Sequence, residues 1–294
     1  MNCTYFVSSG TEATEGAMKL AKRYTGRTEI ISCFNAYHGS TQGALSLMGN
    51  EYYKDGYRPL LPGTKRISFN SFEDLEQITK KTAAIFIEPV QGEAGIISPE
   101  KCYLKAVRDK CNQMGTLLVF DEIQTGFGRT GQWFASKKYN VVPDILLLAK
   151  GMAGGMPLGA FISSKEIMNV FKDNPILGHI TTFGGHPVSC AAALACIEVL
   201  ESSNYIAEVI EKEAIIHQVF SDKNIKEVRT NGLMAAIELD SFETVQKTML
   251  KSMEKGVLID WFLFCNTAVR IAPPLTISTN ELQEACEIVG DCIV

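Results

Sequence analysis

The chain has 294 residues, of which 46% are hydrophobic, so it can bury one large core or the cores of two domains. The net charge of -5 and the isoelectric point near 5.5 argue against a surface for nucleic acid or anionic membranes. No apolar run approaches the roughly 18 residues that a membrane-spanning helix needs, and Met1–Val7 do not resemble a secretory signal.

Cysteine usage indicates a reducing compartment. The nine cysteines are scattered, and none lies in C-x-x-C spacing, so we expect neither a disulfide framework nor a metal site. We therefore expect a cytoplasmic protein. Some cysteines lie in apolar, helix-like patterns in which a thiol acts as a small hydrophobe, namely Cys102, Cys111, Cys190 and Cys196.

Short apolar runs alternate with amphipathic stretches from about residue 4 to 165, which is typical of a mainly parallel α/β sheet. The first run predicts an inner strand that begins almost at Met1. Capping signals predict a helix from Ser98 to Gly115, and a second helix over Pro187–Glu201 is rich in alanine and predicted to be buried. The predicted strands are Thr4–Val7, Glu29–Cys33, Ala83–Ile87, Thr116–Phe120, Ile145–Ala149 and Ala160–Ser163.

The pattern changes after about residue 204, where shorter strands alternate with amphipathic helices. This change predicts a large α/β domain over residues 1–203 and a smaller α+β domain over residues 204–294. The helices predicted in the second part are Asn204–Ser221, Phe242–Lys255 and Asn280–Ile293, and the strands are Met234–Leu239, Val257–Ile259 and Val269–Ile271.

The first strand leads into a polar turn at Ser9–Thr11, and a helix begins there. Free N–H groups and the positive end of the helix dipole favour an anion at such a start. Gly10 would allow close approach of a phosphate, while Ser9 and Thr11 add hydroxyl donors. Ordinary helix capping by serine or threonine is the alternative interpretation.

Polar and aromatic residues follow two further strands. Tyr37 could stack on a planar cofactor ring, or it could be a packed tyrosine beside a surface histidine, His38. Glu88 and Glu93 come just past another strand, where open α/β sheets bind their ligands. Solvated loop acids are the alternative for this second pair.

Asp121 and Lys150 come directly after the next two predicted strands. The segment after Asp121 contains a G-x-G-x-x-G motif, but its first glycine lies too far from the strand and no helix opens at Gly131, so we discount nicotinamide binding. Asp121 could instead pair with a cationic ring nitrogen. Burial would lower the pKa of Lys150 and make its amine nucleophilic, although a lysine at a strand end is most often solvated.

Together these segments supply an anion clamp, a stacking aromatic, an aspartate and a lysine, which are the parts that pyridoxal phosphate requires. The order of the motifs resembles that of the class III (ω-amino) pyridoxal-phosphate aminotransferases of fold type I, among them the acetylornithine, ornithine and 4-aminobutyrate aminotransferases. The resemblance covers essentially the whole chain and is most specific from Ser9 to Pro187 and at Val269–Leu275.

The resemblance implies a homodimer whose large domain, residues 1–203, binds pyridoxal phosphate. Gly10 and Thr11 resemble the phosphate-binding residues of the family's S-G-T-E-A motif, and Tyr37 resembles the aromatic on the pyridine ring. Asp121 is similar to the partner of the pyridinium nitrogen, and Lys150 to the lysine that forms the Schiff base.

Four other residues carry implied roles. Gln124 resembles the residue near the phenolic oxygen of the cofactor, and Thr182 the threonine that reaches the phosphate in the neighbouring subunit. Arg270 resembles the arginine that grips the α-carboxylate, and Glu93 the acid that neutralises it when an ω-amine enters.

Three departures from the family pattern affect the expectations. Ser40 stands where an arginine usually binds the donor carboxylate, which leaves room for diamines or other amines. His186 stands where asparagine is commoner. The family's long segment before the S-G-T-E-A motif is almost missing, so we expect a truncated form.

The predicted function is transfer of an amino group from an ω-amine or amino acid to 2-oxoglutarate or pyruvate by a ping-pong Schiff-base mechanism. The presence of both Glu93 and Arg270 favours 2-oxoglutarate. The alternatives are another pyridoxal-phosphate chemistry, such as that of an aminomutase, racemase or decarboxylase, and a non-catalytic truncated product.

Overall fold

The structure, a computed structural model, describes residues 1–221 and 225–293. One sheet, which we call the large sheet, contains the strands β1 (Cys3–Val7), β2 (Glu29–Cys33), β3 (Thr64–Ile67), β4 (Thr82–Ile87), β5 (Leu117–Asp121), β6 (Ile145–Leu148) and β7 (Gly159–Ser163). Their order is β1-β7-β6-β5-β4-β2-β3. Pairs among β2 to β6 are parallel, and β7 is antiparallel to β6 and β1. The predicted mainly parallel α/β sheet is confirmed.

A second, antiparallel sheet, which we call the small sheet, contains β8 (Glu227–Thr230), β9 (Ala235–Glu238), β10 (Asp260–Phe262) and β11 (Cys265–Ile271), in the order β10-β11-β9-β8. The helices are α1 (Gly10–Thr25), α2 (Gln42–Leu47), α3 (Tyr103–Met114), α4 (Ala135–Lys138), α5 (Lys165–Met168), α6 (Pro187–Ser202), α7 (Val209–Phe220), α8 (Phe242–Glu254) and α9 (Thr279–Cys292). The domain boundary after residue 203 stays a prediction, and the second predicted domain includes residues 222–224 and 294, which lie outside the described residues.

The central strands are buried along their whole length because both faces of the large sheet are covered, and their polar residues, Thr82 and Asp121, lie only at strand ends. Consecutive residues point to opposite faces, so Val119 packs in the core beneath α1, whereas Phe120 packs in the core beneath α3. α1 contributes Leu20 to the first core, and α3 contributes Val107 to the second.

The parallel arrangement determines where the polar residues meet. β4, β5 and β6 are neighbours, and their carboxyl ends lie at the same edge of the large sheet. Glu88 follows β4 directly, Asp121 is the last residue of β5, and Lys150 comes just after β6. Residues that are far apart in the sequence are therefore brought to one edge.

Arg129 connects the loop after β5 to the small sheet. Its half-buried guanidinium donates hydrogen bonds to the carbonyl oxygens of Leu233 and Pro273, and the backbone N–H of Leu233 donates to the Arg129 carbonyl oxygen at 3.0 Å. Desolvation lowers the pKa of Arg129. The loop that follows Asp121 and the segment after Arg270 are thus tied together.

Several sequence predictions are wrong in ways that the contacts explain. β1 is an edge strand, not an inner one, since within residues 1–221 and 225–293 it pairs only with β7. The helix predicted from Ser98 begins only at Tyr103, because Asn70 binds the Ser98 carbonyl oxygen and the Glu100 N–H, each within 3.0 Å. Cys102 has a φ of 66° and lies exposed before the helix, not within it.

α6 was predicted to be buried, yet its described residues are mostly exposed. Only Ser189 and Ala193 are buried, while Val188, Leu194 and Val199 are each more than half exposed. The strand predicted over Val257–Ile259 is also wrong. Val257 N–H donates instead to the Ser252 carbonyl oxygen at the end of α8, and pairing starts at Asp260.

Some elements were missed or begin later than predicted: β3 and β8 had no sequence prediction, and α7 begins at Val209 instead of residue 204. No helix within residues 1–221 and 225–293 is long and apolar enough to cross a membrane. Across those same residues, no group of three or more histidine, cysteine or acidic side chains could hold a metal ion.

The contact between α1 and β7 provides a stability test. A Cβ atom added at Gly16 would lie 2.3 Å from the Phe161 ring, so Gly16→Ala is expected to destabilise the chain by about 1–3 kcal/mol. Nothing lies within 4 Å of a Cβ atom at Gly56, so Gly56→Ala should change stability by less than about 0.5 kcal/mol. Urea unfolding followed by circular dichroism measures both, and equal stabilities would contradict the close packing.

Candidate active site

A cavity of about 480 Å³ opens at the edge of the large sheet where β4, β5 and β6 end. The structure brings most of the predicted site residues to this one cavity, although they come from four separate segments. Those that line it are Ser9, Gly10, Thr11, Tyr37, Asp121, Gln124 and Lys150, and they are joined there by His38, Ser40 and Glu88.

The start of α1 forms one wall. Ser9 caps the helix by accepting a hydrogen bond from the Glu12 N–H at 3.3 Å, and the Glu12 carboxylate accepts from the Ser8 N–H at 2.6 Å. The first N–H groups of a helix have no intrahelical acceptor, so those of Gly10 and Thr11 can serve an anion. A Cβ atom at Gly39 would lie 2.3 Å from Thr11 Oγ1, and the φ of 126° also requires glycine there.

Hydroxyl groups line the mouth of the cavity. Tyr37 Oη lies 2.9 Å from Ser40 Oγ, and Thr11 Oγ1 lies 2.8 Å from Thr41 Oγ1. Glu15 accepts from the N–H groups of the residues that begin α2 and so holds this segment beside α1. The mouth is therefore polar and carries no cation at position 40.

Asp121 lies deep in the cavity wall and is 4% exposed. Its Oδ1 accepts from the Ile123 N–H at 3.1 Å, and its Oδ2 lies 2.8 Å from His38 Nδ1. Burial alone would lower the pKa of His38, but the hydrogen bond to Asp121 and the charges of Asp121 and Glu88 raise it above its ordinary value. The interpretation of His38 as a surface histidine is wrong, since the ring is buried.

Glu88 is the second buried acid of the cavity. Its carboxylate accepts hydrogen bonds from the N–H groups of Tyr37 and Gly92, each at 3.1 Å. Burial raises the pKa of Glu88 to about 7, because the interactions with His38 and the two N–H groups only partly offset the cost of a buried charge. The alternative of a solvated loop acid is excluded for Glu88.

Lys150 approaches the cavity from the side of β6. Its φ of 45° lies in the left-handed region, which a lysine rarely adopts, and such strain is concentrated at functional sites. Lys150 is exposed toward the open cavity, and the protein atoms around its amine displace part of its hydration. This desolvation lowers the pKa of Lys150, although the nearby Glu93 and Asp121 oppose the shift.

Glu93 and Arg270 form an ion pair beside the cavity. Arg270 Nη2 lies 2.6 Å from Glu93 Oε2, and the guanidinium stacks on the Phe262 ring. Burial would raise the pKa of Glu93, but the hydrogen bond and charge of Arg270 lower it below its ordinary value. Gln124 connects the pair to the cavity, because its Nε2 donates to Glu93 Oε1 at 3.1 Å.

Three predicted site residues do not line the cavity: Glu93 and Arg270 lie beside it, and the third is Thr182, which was predicted to reach the site of a neighbouring subunit. Thr182 lies exposed in the segment before α6. Sequence reasoning also missed His38 as a buried partner of Asp121. Its position just beyond β2 was the available signal, but the pairing partner on β5 lies 83 residues away.

The chemistry of these side chains fits pyridoxal phosphate. A helix start rich in N–H and hydroxyl donors suits a phosphate, and Tyr37 is an aromatic in the cavity wall. A buried carboxylate and a strained, desolvated lysine come from adjacent strands. One cavity would thus offer pyridoxal phosphate an anion-binding helix start, an aromatic ring contact, a carboxyl group and an amine.

Comparison with known proteins agrees with this chemistry. Residues 1–293 match a family model described as aminotransferase class-III. The acetylornithine aminotransferase of Methanocaldococcus jannaschii is 45% identical over 292 residues, covering 95% of this chain and 71% of that protein. The acetylornithine aminotransferase of Caldanaerobacter subterraneus subsp. tengcongensis is 39% identical over an alignment of 301 residues, covering 98% and 75% respectively.

A solved structure of the ornithine aminotransferase from Toxoplasma gondii, in which PLP partly occupies the active site, shares the fold of this chain. The TM-score is 0.92 at 30% sequence identity, and the match covers 99% of this chain and 72% of that one.

The lowered pKa of Lys150 predicts the pH dependence of its labelling. We expect Lys150 to react with pyridoxal phosphate and borohydride at a lower pH than Lys105, whose pKa is raised by its hydrogen bond to Asp109. The uncharged amine is the reactive form, so a lowered pKa moves the labelling midpoint down. Peptide mass mapping across a pH series measures both lysines in one sample, and a shared midpoint would contradict the desolvated site.

Proposed function

The chain belongs to the class III aminotransferases, which are pyridoxal-phosphate enzymes, and we propose that it moves the amino group of an acetylornithine-like donor to 2-oxoglutarate. The observation that carries this proposal is the Glu93–Arg270 pair, which lies beside the cavity of Lys150 and is linked to it through Gln124. The names of the two acetylornithine aminotransferases support the donor class.

Arg270 is proposed to bind the α-carboxylate of the acceptor and of its amino-acid product. Its planar guanidinium can donate two parallel hydrogen bonds to a carboxylate, which lysine cannot reproduce. Within the described residues its buried Nε has no hydrogen-bond partner. Glu93 neutralises Arg270 when the donor brings no carboxylate to that position.

Lys150 is proposed to hold and move the proton of the reaction. When bound, pyridoxal phosphate supplies a reactive carbonyl carbon and a ring that withdraws electrons from the carbon next to the amino group. The desolvated Lys150 amine is then available as a nucleophile, and later as a general base and acid. Asp121 supplies a carboxyl group in the wall of the cavity, and Tyr37 would limit the movement of a bound ring.

The start of α1 is proposed to anchor the phosphate. Ser9, Gly10 and Thr11 contribute N–H and hydroxyl donors at the positive end of the helix dipole. An anchored phosphate fixes the distance between the reacting atoms and Lys150, which converts an encounter in solution into a positioned reaction. The enclosed walls also reduce the water around the amine.

A diamine donor is a second candidate, and a specific contact favours it. Ser40 and Tyr37 place two hydroxyl groups 2.9 Å apart at the mouth of the cavity. Hydroxyl oxygens can accept hydrogen bonds from a distal ammonium or amide, whereas they do not neutralise a distal carboxylate. A donor with an uncharged or positively charged far end therefore suits this mouth.

We also propose that the protein is a homodimer in the cytoplasm. Thr182 is exposed, and the surrounding segment exposes large apolar side chains: Ile176, Leu177, Ile180 and Phe183 are each more than two-thirds exposed. Apolar patches of this kind are typical of subunit contacts. The nine cysteines are all unpaired, which supports a reducing compartment.

Removing the proposed catalytic amine tests the activity. Lys150→Ala is expected to lower glutamate formation from 2-oxoglutarate and N-acetylornithine by at least about 10³-fold, because nucleophile and proton carrier are lost together. The exposed Lys165, on α5, is the matched control, and Lys165→Ala should keep normal turnover. Near-normal activity of Lys150→Ala would refute the proposed chemistry.

The proposed role of Arg270 predicts a selective defect. Arg270→Lys should raise the KM for 2-oxoglutarate about 10- to 100-fold, since a charge-assisted bidentate contact is reduced to a single one. The half-reaction with a linear diamine, which carries no carboxylate, should be nearly unchanged. Arg108→Lys alters an arginine paired with Asp144 away from the cavity and serves as the control. An equal loss in both half-reactions would argue against carboxylate binding.

A further inference from the structure

Glu88 is a buried carboxyl group that none of the proposed roles uses. It comes directly after β4, is 5% exposed and forms part of the cavity wall. One carboxylate oxygen accepts from the Tyr37 N–H and the other from the Gly92 N–H, each at 3.1 Å. Glu88 thus joins two loops that leave different strands of the large sheet.

The two loops carry residues proposed to contact cofactor and substrate. Tyr37 forms part of the cavity wall, and Gly92 immediately precedes Glu93, the partner of Arg270. A Cβ atom at Gly92 would lie 2.8 Å from Gln124 Oε1, so the turn is packed tightly against the residue that donates to Glu93. A shift at Glu88 would displace both loops.

The charges around Glu88 come from several elements. Asp121 and His38 are buried and hydrogen-bonded to each other at 2.8 Å, and both interact electrostatically with Glu88. Lys150 and the buried thiol of Cys33 also interact with it. Among the described residues, His38 Nε2 has no hydrogen-bond partner, so a protonated imidazole would leave this buried N–H unpaired. The groups that favour the protonated form are Asp121 and Glu88.

We propose that Glu88 is a positioning residue of the active site, whose carboxylate fixes the Tyr37 loop against the Glu93 turn and keeps His38 protonated beside Asp121. This inference rests on the proposed function for its catalytic consequence, but its structural part concerns this chain alone. A negative charge at Glu88 favours the imidazolium, and the imidazolium in turn donates to Asp121 through Nδ1.

The pKa of Glu88 determines the pH range in which kcat/KM should change. Above a pH of about 7 Glu88 is ionised, accepts both N–H groups and supports the imidazolium; below it, the protonated carboxyl loses charge and acceptor strength. The acid limb of the wild-type profile of kcat/KM should therefore contain an ionisation in that range. In Glu88→Gln that ionisation should disappear.

The test is a histidine titration by nuclear magnetic resonance on the cofactor-free full chain. The four histidines give separable ring signals, and His38 is assigned as the signal missing from His38→Gln. Glu88→Gln should lower the titration midpoint of His38 by roughly half a unit or more, because a supporting charge is lost. Glu100→Gln removes an exposed acid and should leave the midpoint unchanged.

A second variant separates the effect of the charge of Glu88 from the effect of its side-chain length. Glu88→Asp keeps the charge but shortens the side chain, so it should preserve most of the His38 midpoint while raising the KM for 2-oxoglutarate severalfold through the displaced Glu93 turn. If Glu88→Gln does not fold, Glu88→Asp alone decides, and an unchanged KM for 2-oxoglutarate in that variant would overturn the inference.

The outcomes distinguish the two proposals. An unchanged His38 midpoint in folded Glu88→Gln, together with an unchanged pH profile, overturns the role of Glu88 and leaves the transaminase activity intact. A wild-type chain without transaminase activity refutes the proposed function, yet the His38 titration still reports whether Glu88 supports the imidazolium.

Discussion

The arrangement of the site depends on the adjacency of β4, β5 and β6 in one parallel sheet. Each strand is buried on both faces, so a polar side chain can leave the apolar layer only where its strand ends. Parallel neighbours end at the same edge, and Glu88, Asp121 and Lys150 are therefore close in space although long segments separate them in the chain. Buried charges of this kind are tolerated only when they compensate one another.

The charged side chains of the site form two groups, which are linked to each other. Asp121, His38 and Glu88 form the first group, in which a single imidazole lies close to two acids. Glu93 and Arg270 form the second, and Gln124 lies at the junction. Lys150 interacts electrostatically with members of both groups, so the pKa of its amine depends on the charges of both.

Sequence alone anticipated the parts of this site that depend on local position. Gly10, Asp121 and Lys150 each come at a strand exit, and parallel topology brings such exits together. Burial of His38 was not predictable, because it depends on the distant Asp121. The start of α3 was predicted wrongly for the same reason. The side chain of Asn70 hydrogen-bonds to the backbone groups of Ser98 and Glu100, which are about thirty residues away in the sequence.

The surface of the chain was the least predictable part. Composition cannot distinguish a helix buried in its own chain from a helix whose apolar side chains remain at the surface, and α6 has the same alanine-rich pattern in either case. The location of Thr182 likewise depends on the path of a segment without regular structure. The resemblance to a family supplied expectations for these regions that no local pattern could.

The contact of Arg129 with the small sheet has a mechanical consequence. Its guanidinium holds the carbonyl groups of Leu233 and Pro273, so the strand that carries Arg270 is fastened to the loop that follows Asp121. Moving the sheets apart at this point would break these two hydrogen bonds. They therefore restrain the small sheet, and with it Arg270, relative to the loop that follows β5.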